Sequence, residues 1–143
     1  MAFLGEYQHA IDEKGRVAIP VKFRKALKEK VVVTRGIDAH LYLYPIEEWT
    51  KLAEKIAQLP INQANSRAFS RHMLGGAVEM EIDGQGRILL PEYLRKHAEI
   101  KSQVVMVGLY DKIEIWSSER WGEYRIRTES NTEEIAEQLG SLG

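Results

Sequence analysis

Ile11-Asp12-Glu13-Lys14-Gly15-Arg16-Val17-Ala18-Ile19-Pro20 recurs as Ile82-Asp83-Gly84-Gln85-Gly86-Arg87-Ile88-Leu89-Leu90-Pro91, 71 residues further along a chain of 143. Self-similarity at a fixed offset is the signature of a repeated structural unit. The match extends back to Gly5 with Gly76 and forward to Arg24 with Arg95. After one inserted residue, at an offset of 72, Val32, Gly36, Leu41, Leu43 and Trp49 line up with Val104, Gly108, Ile113, Ile115 and Trp121.

Each copy predicts the same elements. An alternating strand (Tyr7, His9, Ile11; Val78, Met80, Ile82) leads into a four-residue turn opened by Asp12 or Asp83 and closed by Gly15 or Gly86. Aspartate at the first turn position accepts a backbone N–H, and glycine at the fourth takes φ > 0, a pattern suited to a hairpin loop with a glycine bulge. A second strand (Val17, Ile19; Ile88, Leu90) stops at Pro20 or Pro91, which starts a short helix. Phe23 and Leu27 share a face of the first such helix. Two further strands are expected at Lys30–Thr34 and His40–Tyr44, and again at Gln103–Val107 and Lys112–Trp116. A helix carrying the matched tryptophan closes each copy.

Between the copies, Pro45 starts a helix with Ile46, Trp49, Leu52, Ala53, Ile56 and Leu59 on one face, and Pro60 stops it. A connector helix over Asn62–Leu74 carries Ala64, Ala68, Phe69, His72 and Met73 on one stripe and ends at Gly75-Gly76. Ile135, Leu139 and Leu142 allow a short C-terminal helix. One copy's strands alone would leave open edges and one apolar face. Two copies paired about a pseudo-twofold axis remove both problems. The expected fold is therefore mainly β with short helices (α+β), one domain of two intertwined repeats. The first repeat spans 5–59, the connector 60–75, the second repeat 76–127 and an acidic tail 128–143.

The net charge of −1 and the pI near 6.4 conceal an uneven distribution. Residues 1–35 carry +4 and residues 111–143 carry −4, so a basic working face can coexist with an acidic average. With no cysteine there are no disulfides or thiolate metal sites. Met1–Glu6 lacks the basic and apolar stretches of a signal peptide, and no apolar run reaches membrane-spanning length. The expectation is a cytoplasmic protein without a membrane. His9, His40, His72 and His97 are far apart in sequence without metal-ligand spacing, and no nucleophile motif is present. These features point away from an enzyme and from a small-molecule substrate. The Gly84-x-Gly86 pattern is explained by turn geometry. The matched tryptophans read as helix anchors in the core.

The run Ile11 to Pro20 followed by Arg24 resembles the AbrB/SpoVT/MazE group of swapped-hairpin barrels. Two such units in one chain, each with Asp-x-x-x-Arg, resemble the MraZ family of transcriptional regulators. So do Phe3-Leu4-Gly5-Glu6-Tyr7-Gln8-His9, Thr34-Arg35-Gly36, Tyr44-Pro45 with Glu48-Trp49, Gly75-Gly76-Ala77, and Ile113-Glu114-Ile115-Trp116. The likeness runs from Met1 to Tyr124 and leaves the tail uncovered. It implies an AbrB-like barrel that binds direct repeats of double-stranded promoter DNA in the division and cell-wall gene cluster. It also implies repression of the protein's own operon, a nucleoid location, a ring-shaped homo-oligomer and no cofactor.

The candidate DNA-binding residues are Lys14, Arg16, Arg24, Arg87 and Arg95. A guanidinium leaving a tight turn can grip a phosphate or bracket guanine O6 and N7. Arg16 and Arg87 could equally pair with Asp12 and Asp83 and hold the turn, and one residue can do both. The aspartates read as structural, since a carboxylate facing phosphate is repelled. Lys14 at the turn tip is replaced by Gln85, which makes copy one the stronger phosphate binder. Arg24 repeats as Arg95, whereas Lys22 and Lys25 also read as a solvated face. Arg35 belongs either to the sheet or to a subunit contact. A second reading takes the acidic tail as an antitoxin-like arm that binds a partner protein.

Overall fold

The computed structural model describes residues 2–140. Leu142, the last residue of the expected C-terminal apolar stripe, lies outside them. The chain runs β1 (Phe3–Ala10), β2 (Arg16–Ala18), α1 (Val21–Arg24), β3 (Lys30–Arg35), β4 (Leu41–Pro45), α2 (Ile46–Ala57), α3 (Ala64–Met73), β5 (Val78–Glu81), β6 (Arg87–Leu89), α4 (Glu92–His97), β7 (Gln103–Tyr110), β8 (Ile113–Ser117), α5 (Ser118–Glu129) and α6 (Thr132–Leu139).

The strands exchange between repeats. A six-stranded antiparallel sheet has the order β1-β7-β8-β4-β3-β5, and a separate two-stranded ribbon pairs β2 with β6. The first strand of each repeat thus pairs with the third strand of the other: β1 with β7 from Phe3↔Tyr110 to Ala10↔Gln103, and β5 with β3 from Val33↔Val78 to Lys30↔Glu81. The ribbon packs against the two edge strands, β2 on β1 and β6 on β5, so the eight strands come round on themselves. The turn after β1 does reverse the chain, but the hairpin it starts is a single bridge, Ile11↔Val17, before β2 leaves for β6. The main-chain groups that a local hairpin would pair are taken by the other repeat: Ile19 donates to Gly86 O (2.9 Å) and Leu90 to Gly15 O (2.8 Å).

Both repeats fill one core. Val17 and Ile88, Ile19 and Leu90, Phe23 and Leu94, and Leu43 and Ile115 are equivalent pairs, all buried in the same cluster. Phe23 stands edge-on to Phe3 and Tyr7, with ring centroids 5.5 and 5.1 Å away.

The third strands correct the repeat alignment by one residue. Val31 pairs with Pro45 and Val104 with Ser117, so Val31, not Val32, is the counterpart of Val104, an offset of 73. Val31, Val33, Val104 and Met106 face the core, whereas Val105 and Val107 face outward. A one-residue slip in a strand exchanges its faces, and the runs of adjacent valines conceal it. The shorter loop between β7 and β8 then restores the offset of 72 at Leu41 and Ile113.

Trp49 and Trp121 are only half-buried and lie outside the central core. They anchor α2 and α5 to the outer face of the sheet, Trp49 against Tyr44 (5.8 Å) and Trp121 against Trp116 (5.3 Å). Of the connector stripe, Met73 is buried, while Ala64, Ala68 and Phe69 are exposed. Arg35 does not belong to a cationic surface: its Nε donates to His72 O (3.1 Å) and its Nη2 to Arg71 O (3.0 Å), satisfying carbonyls at the end of α3.

Candidate nucleic-acid interface

The two turns are built alike. Asp12 Oδ1 accepts the backbone N–H of Lys14 (3.0 Å) and Arg16 (2.8 Å), and its Oδ2 accepts Arg16 Nε (2.9 Å). Asp83 Oδ1 accepts the N–H of Gln85 (2.8 Å) and Arg87 (2.9 Å), and its Oδ2 accepts Arg87 Nε (3.1 Å). The aspartates thus hold both the turn and the arginine. The Nη groups of Arg16 and Arg87 make no hydrogen bond among the described residues, so each guanidinium is fixed at Nε and offers its terminal nitrogens. The turn-holding role is therefore taken by both arginines, and an arginine tethered at Nε still has its terminal donors.

The hydrogen bonds from the following arginine's backbone N–H, above all, hold the Asp12 and Asp83 carboxyls below the usual carboxylate range, with the Arg16 or Arg87 side chain adding to the effect. A carboxyl whose folded value is depressed contributes stability above its unfolded value, and loses it as pH falls through the folded one. Wild type should therefore lose stability below about pH 4, and Asp12→Asn/Asp83→Asn should show a flatter acid limb in urea unfolding followed across pH.

The ribbon brings the two arginines together. In the register Arg16↔Leu89, Val17↔Ile88, Ala18↔Arg87, Val17 and Ile88 point into the core, each 1% exposed. Directly opposed residues share a face and alternate residues repeat it, so Arg16, Ala18, Arg87 and Leu89 form the outward face. Arg16 and Arg87 are diagonal neighbours on it, a separation of about 7–8 Å in such pairs.

Arg24 and Arg95 are each anchored in their own repeat and reach the turn of the other. Arg24 Nε donates to Ile19 O (2.7 Å) and Arg95 Nε to Leu90 O (3.0 Å). The Arg24 guanidinium lies against Gly86, and a Cβ on Gly15 would come within 2.9 Å of Arg95 Nε. Each half-buried arginine therefore backs the opposite repeat's turn, which places part of its role in structure. Lys14 is exposed at the tip of its turn and makes no ion pair among the described residues. Lys22 and Lys25 are also exposed, on and just after α1.

Among the described residues no group of three or more His, Asp or Glu side chains could hold a metal ion. His72 and His97, remote in sequence, are neighbours in space with ring centroids 5.4 Å apart. Burial keeps the His97 imidazole below the usual histidine range, and the nearby His72 and Arg35 lower it further. No helix among the described residues is long and apolar enough to cross a membrane.

A duplicated β domain with exchanged strands, displaying two turn-tethered arginines on one exposed ribbon, defines the swapped-hairpin class. The chain belongs to the MraZ family: the family model described as "MraZ protein, putative antitoxin-like" matches it twice, over residues 2–72 and 73–141. Among its relatives, a protein of Halothermothrix orenii named "Transcriptional regulator MraZ" is 50% identical over 141 residues, 99% of each chain. One of the same name from Caldanaerobacter subterraneus subsp. tengcongensis is 50% identical over 97% of each chain. A third, from Pediococcus pentosaceus, is 48% identical over 99% of each. The solution structure of PHS018 from Pyrococcus horikoshii aligns with 78% of this chain and 97% of its own at 15% identity, with a TM-score of 0.35, too low to speak for the fold.

Proposed function

We propose that this chain is a transcriptional regulator that binds double-stranded DNA through the outward face of the β2–β6 ribbon. The observation that carries the reading is the placement of Arg16 and Arg87, one from each repeat, as diagonal neighbours on a single exposed face with their terminal nitrogens available. A two-stranded ribbon fits the major groove, where an arginine fork can bracket a guanine. Lys14, Arg24 and Arg95 add phosphate contacts around it, with copy one the stronger side because Gln85 takes the place of Lys14 in the second turn. The proposed targets are direct repeats in the promoter of the division and cell-wall gene cluster, where the protein represses its own operon. Residues 5–59 and 76–127 act as one intertwined domain. A ring of such chains on the nucleoid gains avidity on repeated sites at matched spacing, by about 10²-fold or more.

Titration of repeat-containing promoter duplex across a salt series tests this. With Lys14, Arg24 and Arg95 on phosphates, affinity should fall by about 10–10²-fold between about 50 and 200 mM salt. Binding that is absent, or independent of salt, contradicts the reading. The antitoxin-like alternative draws on the exposed Ile126 and Ile135 of α5 and α6. Its test is recovery of one defined basic partner that is lost when residues 128–143 are removed.

A further inference from the structure

The ribbon's outward face is nearly two-fold symmetric, and its exception is informative. The repeat maps Arg16 onto Arg87 and Ala18 onto Leu89. One pair is identical; the other sets a methyl against an isobutyl group. Leu89 is 53% exposed. A lone exposed leucine is ordinary on a protein surface, but this one has Arg16 across the ribbon and Arg87 two residues back on its own strand, on a face that is otherwise polar or small.

The register decides what it does there. Leu89 is directly opposite Arg16, and Arg87 is opposite Ala18. The turn next to Arg16 carries Lys14 at its tip, and the turn next to Arg87 carries Gln85. The two departures from symmetry therefore fall on the same half: Lys14, Arg16 and Leu89 on one side, Gln85, Arg87 and Ala18 on the other. The backbone positions of the two arginines are about two base-pair steps apart, so both halves lie over one short stretch of groove.

We infer that Leu89 is a specificity-determining residue that packs against a thymine C5-methyl group beside the base read by Arg16, so that each chain reads a non-palindromic element in one fixed orientation. The thymine methyl is the apolar feature of the major-groove floor. Ala18 is too short to make the equivalent contact in the other half. This rests on the DNA-binding reading above and assigns the orientation of each direct repeat to one side chain.

The test begins with a duplex that wild type selects from a random-sequence pool. That duplex is remade with each thymine in turn replaced by uracil, which removes only the methyl group. The selected site should lack two-fold symmetry, and uracil at one thymine should weaken wild type by about fourfold, the loss expected for one apolar carbon. Leu89→Ala should bind the thymine duplex at least that much more weakly and be indifferent to uracil at that position. Leu89→Met should remain sensitive. Because Leu89 points outward, thermal unfolding of both variants should match wild type. A palindromic selected site, undiminished binding by Leu89→Ala, or an unchanged uracil response in that variant overturns the inference while leaving DNA binding intact. If wild type enriches no duplex, the DNA-binding reading falls and this inference with it.

Discussion

Replacing Arg16 and Arg87 together by alanine should reduce affinity for repeat-containing promoter duplex by about 10²–10⁴-fold, while the protein remains folded. A guanidinium that brackets a base contributes about 1–3 kcal/mol of discrimination, and two such contacts multiply if they are independent. The turns should survive the change. Asp12 keeps the backbone N–H groups of Lys14 and Arg16, and Asp83 keeps those of Gln85 and Arg87, none of which the substitution removes. Only the Nε contact at each Oδ2 is lost. Circular dichroism and the thermal midpoint should therefore stay near wild type. The corresponding double lysine variant keeps the charge and loses the planar fork. It should retain most of the salt dependence and lose most of the discrimination between specific and random duplex. Wild-type affinity in the folded alanine variant would remove these arginines from the interface.

Gly15→Ala should destabilise the fold by about 2–4 kcal/mol, with a lowered urea midpoint and an unchanged m-value. Two effects combine. Gly15 has φ +94°, a conformation that costs a side-chain-bearing residue about 1–3 kcal/mol. A Cβ there would also stand 2.5 Å from the Leu90 carbonyl oxygen, which belongs to the other repeat. That approach is tight because Gly15 O accepts the Leu90 N–H at 2.8 Å, one of the bonds that cross between repeats. The clash is with backbone, so truncating Arg95 should not rescue it. Gly84→Ala is the control: Gly84 has no neighbour within 4 Å of a built Cβ and no positive φ, and the substitution should stay within about 0.5 kcal/mol of wild type. Equal effects at Gly15 and Gly84 would contradict the close approach of Gly15 to Leu90 of the other repeat.

Much of this was legible in sequence because the repeat prints the same local chemistry twice. Asp, Gly and Arg at fixed spacing specify a turn, and Pro20 and Pro91 mark where the second strands stop. The unpaired edges of a single copy call for a partner, and the second copy supplies it. Other features resisted. The hairpin expected after β1 shrinks to one bridge, because the same main-chain groups satisfy themselves equally well on β6, and local pattern cannot choose between two partners of identical sequence type. The adjacent valines at 31–33 and 104–105 hide a one-residue shift that only pairing with β4 and β8 resolves. Arg24 and Arg95 repeat in sequence, but their crossing to the opposite turn is a tertiary fact, as are the Arg35 contacts to α3 and the approach of His72 to His97. The alternation of Ile88 and Leu90 turns Leu89 outward, but its place opposite Arg16 is visible only in the register.

Hydrogen–deuterium exchange of the full chain with and without a repeat-containing promoter duplex locates the interface directly, without a mutation. DNA should slow exchange in the segments 12–20 and 83–91 together, because one ribbon carries both, and leave α5 and α6 at their free rates. Protection confined to α5 and α6 or to the outer face of the six-stranded sheet, or confined to one of the two turn segments, would contradict a single ribbon as the DNA-binding face.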